Sequence, residues 1–173
     1  MEEILIAHEK AELEGDLEAT LATLTPDPQY ELASLGWAIN GLDAVRETYR
    51  RILPGAQKWD IAAEARGYTW GQNTLVREAH VSFNTVEGER VTGLYMVVMA
   101  FDPELKRISG ERMYMDPLFA NLMAADLGAD FGSIPGVSKI SQTAPIIQIH
   151  DAFAAAAARG IAIESNRPAS SLR

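Results

Sequence analysis

The chain has 173 residues, 47% of them apolar and 23% charged, which is enough for one well-packed domain with an appendage. Its formal charge of −9, from 24 acids against 15 Lys plus Arg, repels phosphate backbones and anionic lipid, so neither nucleic acid nor a membrane is expected as a partner. Cysteine is absent, which excludes disulfides, thiolate catalysis and cysteine metal sites.

The opening "MEEILIAHEKAELEGD" is acidic and lacks the basic start and long apolar run of a signal peptide; a cytoplasmic location is the default expectation. Residues 2–14 read as a helix, with Ile4, Leu5, His8 and Ala11 on one face at the 3.6-residue period. Gly15 can close it and Asp16 can cap a short second helix, "LEATLATL". The prolines of "TPDP" end that helix, and "YELASL" reads as a short strand. Asn40 or Asp43 can open a third helix whose apolar positions are Leu42, Val45, Tyr49, Ile52 and Leu53, with Pro54-Gly55 as its stop.

From residue 57 the period becomes two. "KWDIAAEARGYTW", "NTLVREAHVSF", "RVTGLYMVVMAF" and "KRISGERMYM" read as four strands joined by short turns, an antiparallel meander. Helices first and sheet second is an α+β pattern. A short helix from Leu118 to about Asp126, a Gly/Ser/Pro-rich connection and a helix near 145–159 complete the chain. The expected organisation is a domain over 1–125 and a C-terminal extension over 126–173.

Alternation in "ISGERMYMDPLFANLM" places Glu111, Met113 and Met115 on one strand face and Arg112 and Tyr114 on the other. The methionine face looks like core. Asp116 followed by Pro117 is the preferred way to start a helix, so Asp116 reads as a cap rather than a catalytic acid. "LYMVVMAF" is apolar on both faces, which predicts that both sides of the sheet are covered, one by the first helices and one by a second subunit or the C-terminal segment; a homodimer is expected.

The opening helix closing on "GD", the run "LATLTPDPQYELASLGWAINGLDAVRETYRRIL", the meander and the closing "ISGERMYMDPLFANLM" together resemble the NTF2-like superfamily, with the SnoaL-like polyketide cyclases and steroid isomerases the nearest in pattern. The resemblance covers roughly residues 3–124. It implies a cone, a curved, mostly antiparallel sheet wrapped on three N-terminal helices around a pocket, and it leaves function open, since that superfamily holds isomerases, cyclases, epoxide hydrolases and binders. Anchored on Gly15-Asp16, the steroid isomerases' oxyanion tyrosine falls on His8, their base on Leu32 beside Glu31, and their second oxyanion acid near Val97. The epoxide hydrolases' arginine and two aspartates fall on Ala79, Val81 and Met113. Neither established route is therefore expected here.

His8 and Glu111 are the candidate catalytic pair. An imidazole on the inner face of the first helix can donate, accept or shuttle a proton; the plainer reading is a buried histidine bonded to a carbonyl. Glu111 among methionines would have a raised pKa, unless it meets water at a sheet edge or pairs with Arg77. Tyr30, Trp37, Tyr49, Trp59, Met113 and Met115 are the expected pocket wall, suited to an apolar or aromatic small molecule. Glu78 and His80 share a strand face pointing away from the pocket, and would replace His8 if the register were shifted by one. His8, His80 and His150 form no metal-ligand spacing, and no phosphate loop or nucleophile elbow occurs, so neither metal nor cofactor is expected. Two functions follow: a cofactor-free lyase, isomerase or cyclase acting on a small carbonyl compound by acid–base chemistry, or a non-catalytic binding or dimeric assembly module of the same fold.

Overall fold

The computed structural model describes residues 1–140 and 158–160. The chain divides into two units, Met1–Ile140 and Ser141–Arg173, and the site lies wholly within the first. The helix expected near 145–159 falls almost entirely outside the described residues.

Helix α1 (Glu2–Glu14) ends at Gly15, which takes the left-handed conformation (φ 70°) and returns its N–H to the last turn. Asp16 then caps α2 (Leu17–Ala22) by accepting the Ala19 N–H at 2.9 Å. Both signals act as expected from sequence. Strand β1 (Leu24–Leu32) begins well before the "YELASL" segment. Its register against the neighbouring strand jumps between Leu24 and Gln29, where Pro26 and Pro28 have no N–H for a ladder. Residues Ala33–Leu35 form a single 3₁₀ turn, and "WAIN" is a strand, β2 (Trp37–Asn40), which returns antiparallel to β1.

Helix α3 (Leu42–Lys58) corrects two expectations. Gly41 is its N-cap, with no capping side chain, and the helix runs straight through Pro54-Gly55. A proline inside a helix costs about 3 kcal/mol. That cost is offset by the buried stripe Val45, Tyr49 and Leu53 and by the Trp59 indole, which donates to Asp126 at 3.0 Å just past the helix end. Gly55 is buried there, and a Cβ on it would collide with the Asp126 carboxylate, so the glycine allows the close approach that the proline seemed to forbid.

Strands β3 (Ala62–Trp70), β4 (Thr74–Asn84), β5 (Arg90–Asp102) and β6 (Arg107–Met115) form the expected antiparallel meander. Strand β7 (Val137–Lys139), inside the Gly/Ser/Pro-rich connection, adds to β2, so the first unit extends past residue 125 to Ile140. The seven strands lie in the order β3-β4-β5-β6-β1-β2-β7, all antiparallel except the parallel β1–β6 pair. The result is an α+β domain: an open, curved, mixed sheet with the helices packed on its inner face.

Register fixes which side chains face inward. Arg77, Val97 and Met113 lie opposite one another across β4, β5 and β6, as do Leu75, Met99 and Glu111. All of these are buried except the half-buried Met113. Arg112 and Tyr114 take the outer face, as alternation required. Asp116 caps α4 (Pro117–Leu127) by accepting the Phe119 N–H at 2.9 Å, and it also accepts the Leu94 N–H at 2.6 Å. It therefore ties the helix start to β5 as well. Asp116→Ala should lower the unfolding free energy by about 1–2 kcal/mol in urea titrations, the upper part of the capping range, because two donors lose their acceptor.

Candidate active site

The inner face of α1 carries Leu5, His8 and Ala11 into the domain, and His8 is only 1% exposed. Its ring sits in a closed set of polar groups. Nδ1 lies 2.6 Å from the Thr23 hydroxyl. Nε2 lies 3.1 Å from the Tyr49 hydroxyl, 3.1 Å from Glu111 Oε1 and 3.3 Å from Glu12 Oε1.

Hydrogen-bond direction decides the protonation of this ring. The Thr23 hydroxyl donates to the Thr20 carbonyl at 2.6 Å, and a carbonyl cannot return a proton. Thr23 therefore accepts from His8, and Nδ1 carries a hydrogen. On the other side, Tyr49 donates to the Tyr30 hydroxyl (3.2 Å) and Tyr30 donates to Glu111 (3.3 Å), so the tyrosine protons are already used. Nε2 faces two carboxylates and a hydroxyl oxygen, all acceptors. A lone pair there would meet only other lone pairs. His8 is an imidazolium.

The electrostatics agree. Burial alone pushes the His8 pKa down, but the Glu12 charge and hydrogen bonds to Glu111 and Glu12 outweigh it and push it up to about 10. Burial likewise tends to raise the Glu12 pKa, and the His8 charge and hydrogen bond bring it below the usual carboxylate value. Burial holds the Tyr30 and Tyr49 hydroxyls well above their ordinary pKa, so both stay protonated donors.

A cavity of about 260 Å³ lies between α1, α3 and α4 and the inner sheet face. This falls just under the range of roughly 300–1,000 Å³ usual for small-molecule sites, which suits a one- or two-ring ligand. Leu53, Val81, Met113 and Phe119 give it an apolar wall. Its polar lining comes from Glu9, Glu12, Tyr49, Arg77, Tyr95 and Asp126. His8 and Glu111 do not line it; they lie behind Glu12 and Tyr49.

The expected site residues therefore separate. His8, Glu111, Tyr30 and Tyr49 are brought together in one network, and Tyr49 and Met113 line the cavity. Tyr30 is buried behind Tyr49, in edge contact with its ring. Met115 is packed in the core. Trp37 packs edge-on against Phe131, under the Lys139 ammonium, away from the cavity. Trp59 reaches the cavity only through its bond to Asp126. Glu78 is exposed and His80 half-buried on the outer sheet face, so the alternative register does not occur. Arg77 binds Glu9 and Tyr95 rather than Glu111.

Sequence reasoning missed Glu12, which the spacing could have supplied, since it stands four residues after His8 on the same helix face. It also missed Arg77 and Tyr95 as cavity residues, although period-two counting places both inward with Met113. Among the described residues no group of three or more His, Cys, Asp or Glu side chains is arranged to hold a metal ion, and no helix is long and apolar enough to cross a membrane.

No family model and no curated protein sequence matches this chain. Solved structures do. It is similar to an NTF2-like protein of unknown function from Cytophaga hutchinsonii, at 16% identity and TM-score 0.55 over 67% of this chain and 99% of that one. The fold is NTF2-like. The chain is also similar to SalBIII, an epoxide hydrolase/cyclase-like enzyme with a role in pyran ring formation in the polyether salinomycin (19% identity, TM-score 0.56, 68% of this chain and 91% of that one). A third similar structure is a putative polyketide cyclase from Sinorhizobium meliloti (20% identity, TM-score 0.50, 65% and 94%). At these identities the likeness carries the fold and not the reaction.

Proposed function

We propose that this NTF2-like protein is a cofactor-free acid–base enzyme of the isomerase, lyase or cyclase type, acting on a small, largely apolar carbonyl compound. The observation that carries this reading is the double membership of Glu12. Its carboxylate lines the cavity and also belongs to the buried group formed with His8 and Glu111.

The group holds two carboxylates around one imidazolium and so carries one net negative charge. If Glu12 takes a proton from the carbon next to a substrate carbonyl, the C–H electrons pass into an enolate and the group becomes neutral. Glu111 then keeps the imidazolium paired. The proton can return to a different carbon, which is isomerisation, or a β-substituent can leave, which is elimination. A lone buried glutamate would pass through the same net charges, but its ionised carboxylate would have no cation beside it before the transfer. His8 in this scheme is a positioning residue, a fixed cation behind the base, rather than the shuttle its sequence position suggested.

Glu12's lowered pKa favours a second reading, a binding protein of the same shape without turnover, because a weaker base removes protons less readily. Thermal-shift screening against hydrophobic ketones, enones and lactones, followed by proton–deuterium exchange on each hit, separates the two. Stabilisation with exchange supports the enzyme; stabilisation without any exchange supports the binder.

A second copy of the chain is proposed to cover the outer face of β5 and β6. Leu94 and Tyr114 are 43% and 42% exposed there, beside half-buried Met96, Val98 and Ala100. Light scattering at tens of micromolar should give twice the chain mass, and Val98→Glu should return it to one chain; a monomeric wild type would contradict the assignment.

A further inference from the structure

Arg77 lies on the cavity wall at 7% exposure, yet its guanidinium is only partly used. Nη1 donates to Glu9 and to the Tyr95 hydroxyl, the latter at 2.9 Å. Nε is buried without any acceptor, and no hydrogen bond is made by Nη2 among the described residues. The Tyr95 hydroxyl accepts from Arg77 and donates to nothing among the described residues, so its proton is also free. Burial raises the Tyr95 pKa against the pull of Arg77, which keeps that proton in place. Nη2 and the Tyr95 hydroxyl are thus the unused donors at this point of the wall, with Nε fully enclosed. A buried donor without an acceptor is costly, and such sites in native proteins call for an explanation.

Arg77 is also held still. Its guanidinium carbon stands 5.8 Å from the Tyr95 ring centre and 6.0 Å from that of Tyr68, while Glu9 fixes one end of the fork. Fixed donors around an apolar cavity suit an oxygen that carries no hydrogen. Charge narrows the class further. Three carboxylates, Glu9, Glu12 and Asp126, share the lining with this single guanidinium; His8 stands beside Glu12 and Glu111, and Lys58 beside Asp126, which still leaves one net negative charge around the cavity. An ionised carboxylate would enter against that excess of negative charge, whereas a neutral carbonyl meets only the donors.

Placement relates this point to the proposed base. Glu9, which anchors Arg77, and Glu12 are three residues apart on α1, so their Cβ atoms are about 5–6 Å apart on one helix face. Arg77, Tyr95 and Glu12 line the same cavity, which brings the oxygen-holding donors and the base to one ligand. We infer that Arg77 and Tyr95 form the oxygen-holding subsite of the cavity and select neutral enolisable ketones over carboxylates of the same shape. The inference rests on the acid–base reading for its catalytic part and on the cavity alone for its binding part. In the reaction, the electrons of the broken C–H bond end on the carbonyl oxygen as an enolate, and the two donors stabilise that charge until the proton returns.

The test uses 2-tetralone and tetralin-2-carboxylate, matched in shape, at neutral pH. The ketone should bind the wild type at least about tenfold more tightly than the acid, by the worth of one charge repulsion and one hydrogen bond. Tyr95→Phe, which keeps the ring packing, should weaken ketone binding by up to about tenfold. It should also slow deuterium exchange at the ketone's α-carbon by about 10²-fold, with the greater loss in kcat. Arg77→Gln should weaken ketone binding and shut the acid out further, because it removes a cation from an already negative cavity. Equal or tighter binding of the acid, or ketone binding and exchange indifferent to Tyr95→Phe, would overturn the subsite. The ketone preference and the weaker ketone binding of both variants, with no exchange even in the wild type, would uphold the subsite and overturn the acid–base reading instead.

Discussion

Glu12→Gln should abolish most of the α-proton exchange that this protein catalyses, by about 10²- to 10⁴-fold, while ligand binding stays within a few-fold of wild type. The amide keeps the size of the carboxylate and can still line the cavity. It cannot take a proton from carbon. It also leaves His8 and Glu111 as a balanced pair, because the imidazolium retains one carboxylate at 3.1 Å. Stability should fall by the share that the ionised Glu12 contributes through His8, and circular dichroism with urea titration would check that the variant is still folded and the loss chemical. Full exchange activity in Glu12→Gln would remove the base from the scheme.

The largest effect on stability should come from His8→Ala. Glu111, 4% exposed, and Glu12 would then face each other without the cation between them. Removing one partner of a buried ion pair costs about 3–5 kcal/mol, a large part of a small domain's total. The same group predicts a pH profile. In the folded protein the His8 pKa is pushed up to about 10 from its ordinary value of 6.5. Its stabilising contribution is complete below about pH 6.5 and declines as pH rises, until it is lost above about pH 10. Glu12 acts in the opposite sense: its pKa is lowered on folding, so its contribution is present above the ordinary carboxylate value and is lost in acid. Urea midpoints should therefore be highest in weak acid and fall through the mildly alkaline range, and His8→Ala should remove the alkaline slope. A wild-type midpoint that stays level from pH 6.5 to 10 would contradict this assignment.

Local rules made much of the framework legible before any coordinates. Gly15 and Asp16 read directly as a helix stop and a cap, and Asp116-Pro117 as a helix start, because each needs only its neighbours. Alternation put Glu111 and Met113 inward for the same reason. Long-range compensation is what sequence could not show. Pro54-Gly55 looked like a stop, and only the approach of Asp126 from α4, to Gly55 and to the Trp59 indole, explains why α3 continues. Strand β2 depends on β1 and β7 for its hydrogen bonds, so four residues of "WAIN" had no signal of their own.

The site was legible in part. His8 and Glu111 could be singled out as polar groups on apolar faces, but their meeting at 3.1 Å is a tertiary fact. The protonation of His8 was the least accessible feature. Taken alone, a histidine suggests a switch near neutrality. Thr23, already donating to Thr20, together with two carboxylates on the opposite edge, turns it into a cation across the neutral range. The aromatic wall was overestimated for a related reason: Trp37 and Tyr30 are large and apolar enough for a pocket, but packing against Phe131 and Tyr49 uses up their surfaces.

Nitrogen NMR of the His8 ring, followed from neutral to strongly alkaline pH, addresses the buried cation most directly. Two ring nitrogens each bearing a hydrogen at neutral pH, with titration only near pH 10, is the outcome that follows from the contacts to Thr23, Glu12 and Glu111. One bare nitrogen at neutral pH, or an ordinary titration near 6.5, would contradict it and leave Glu12 without the charge that positions it.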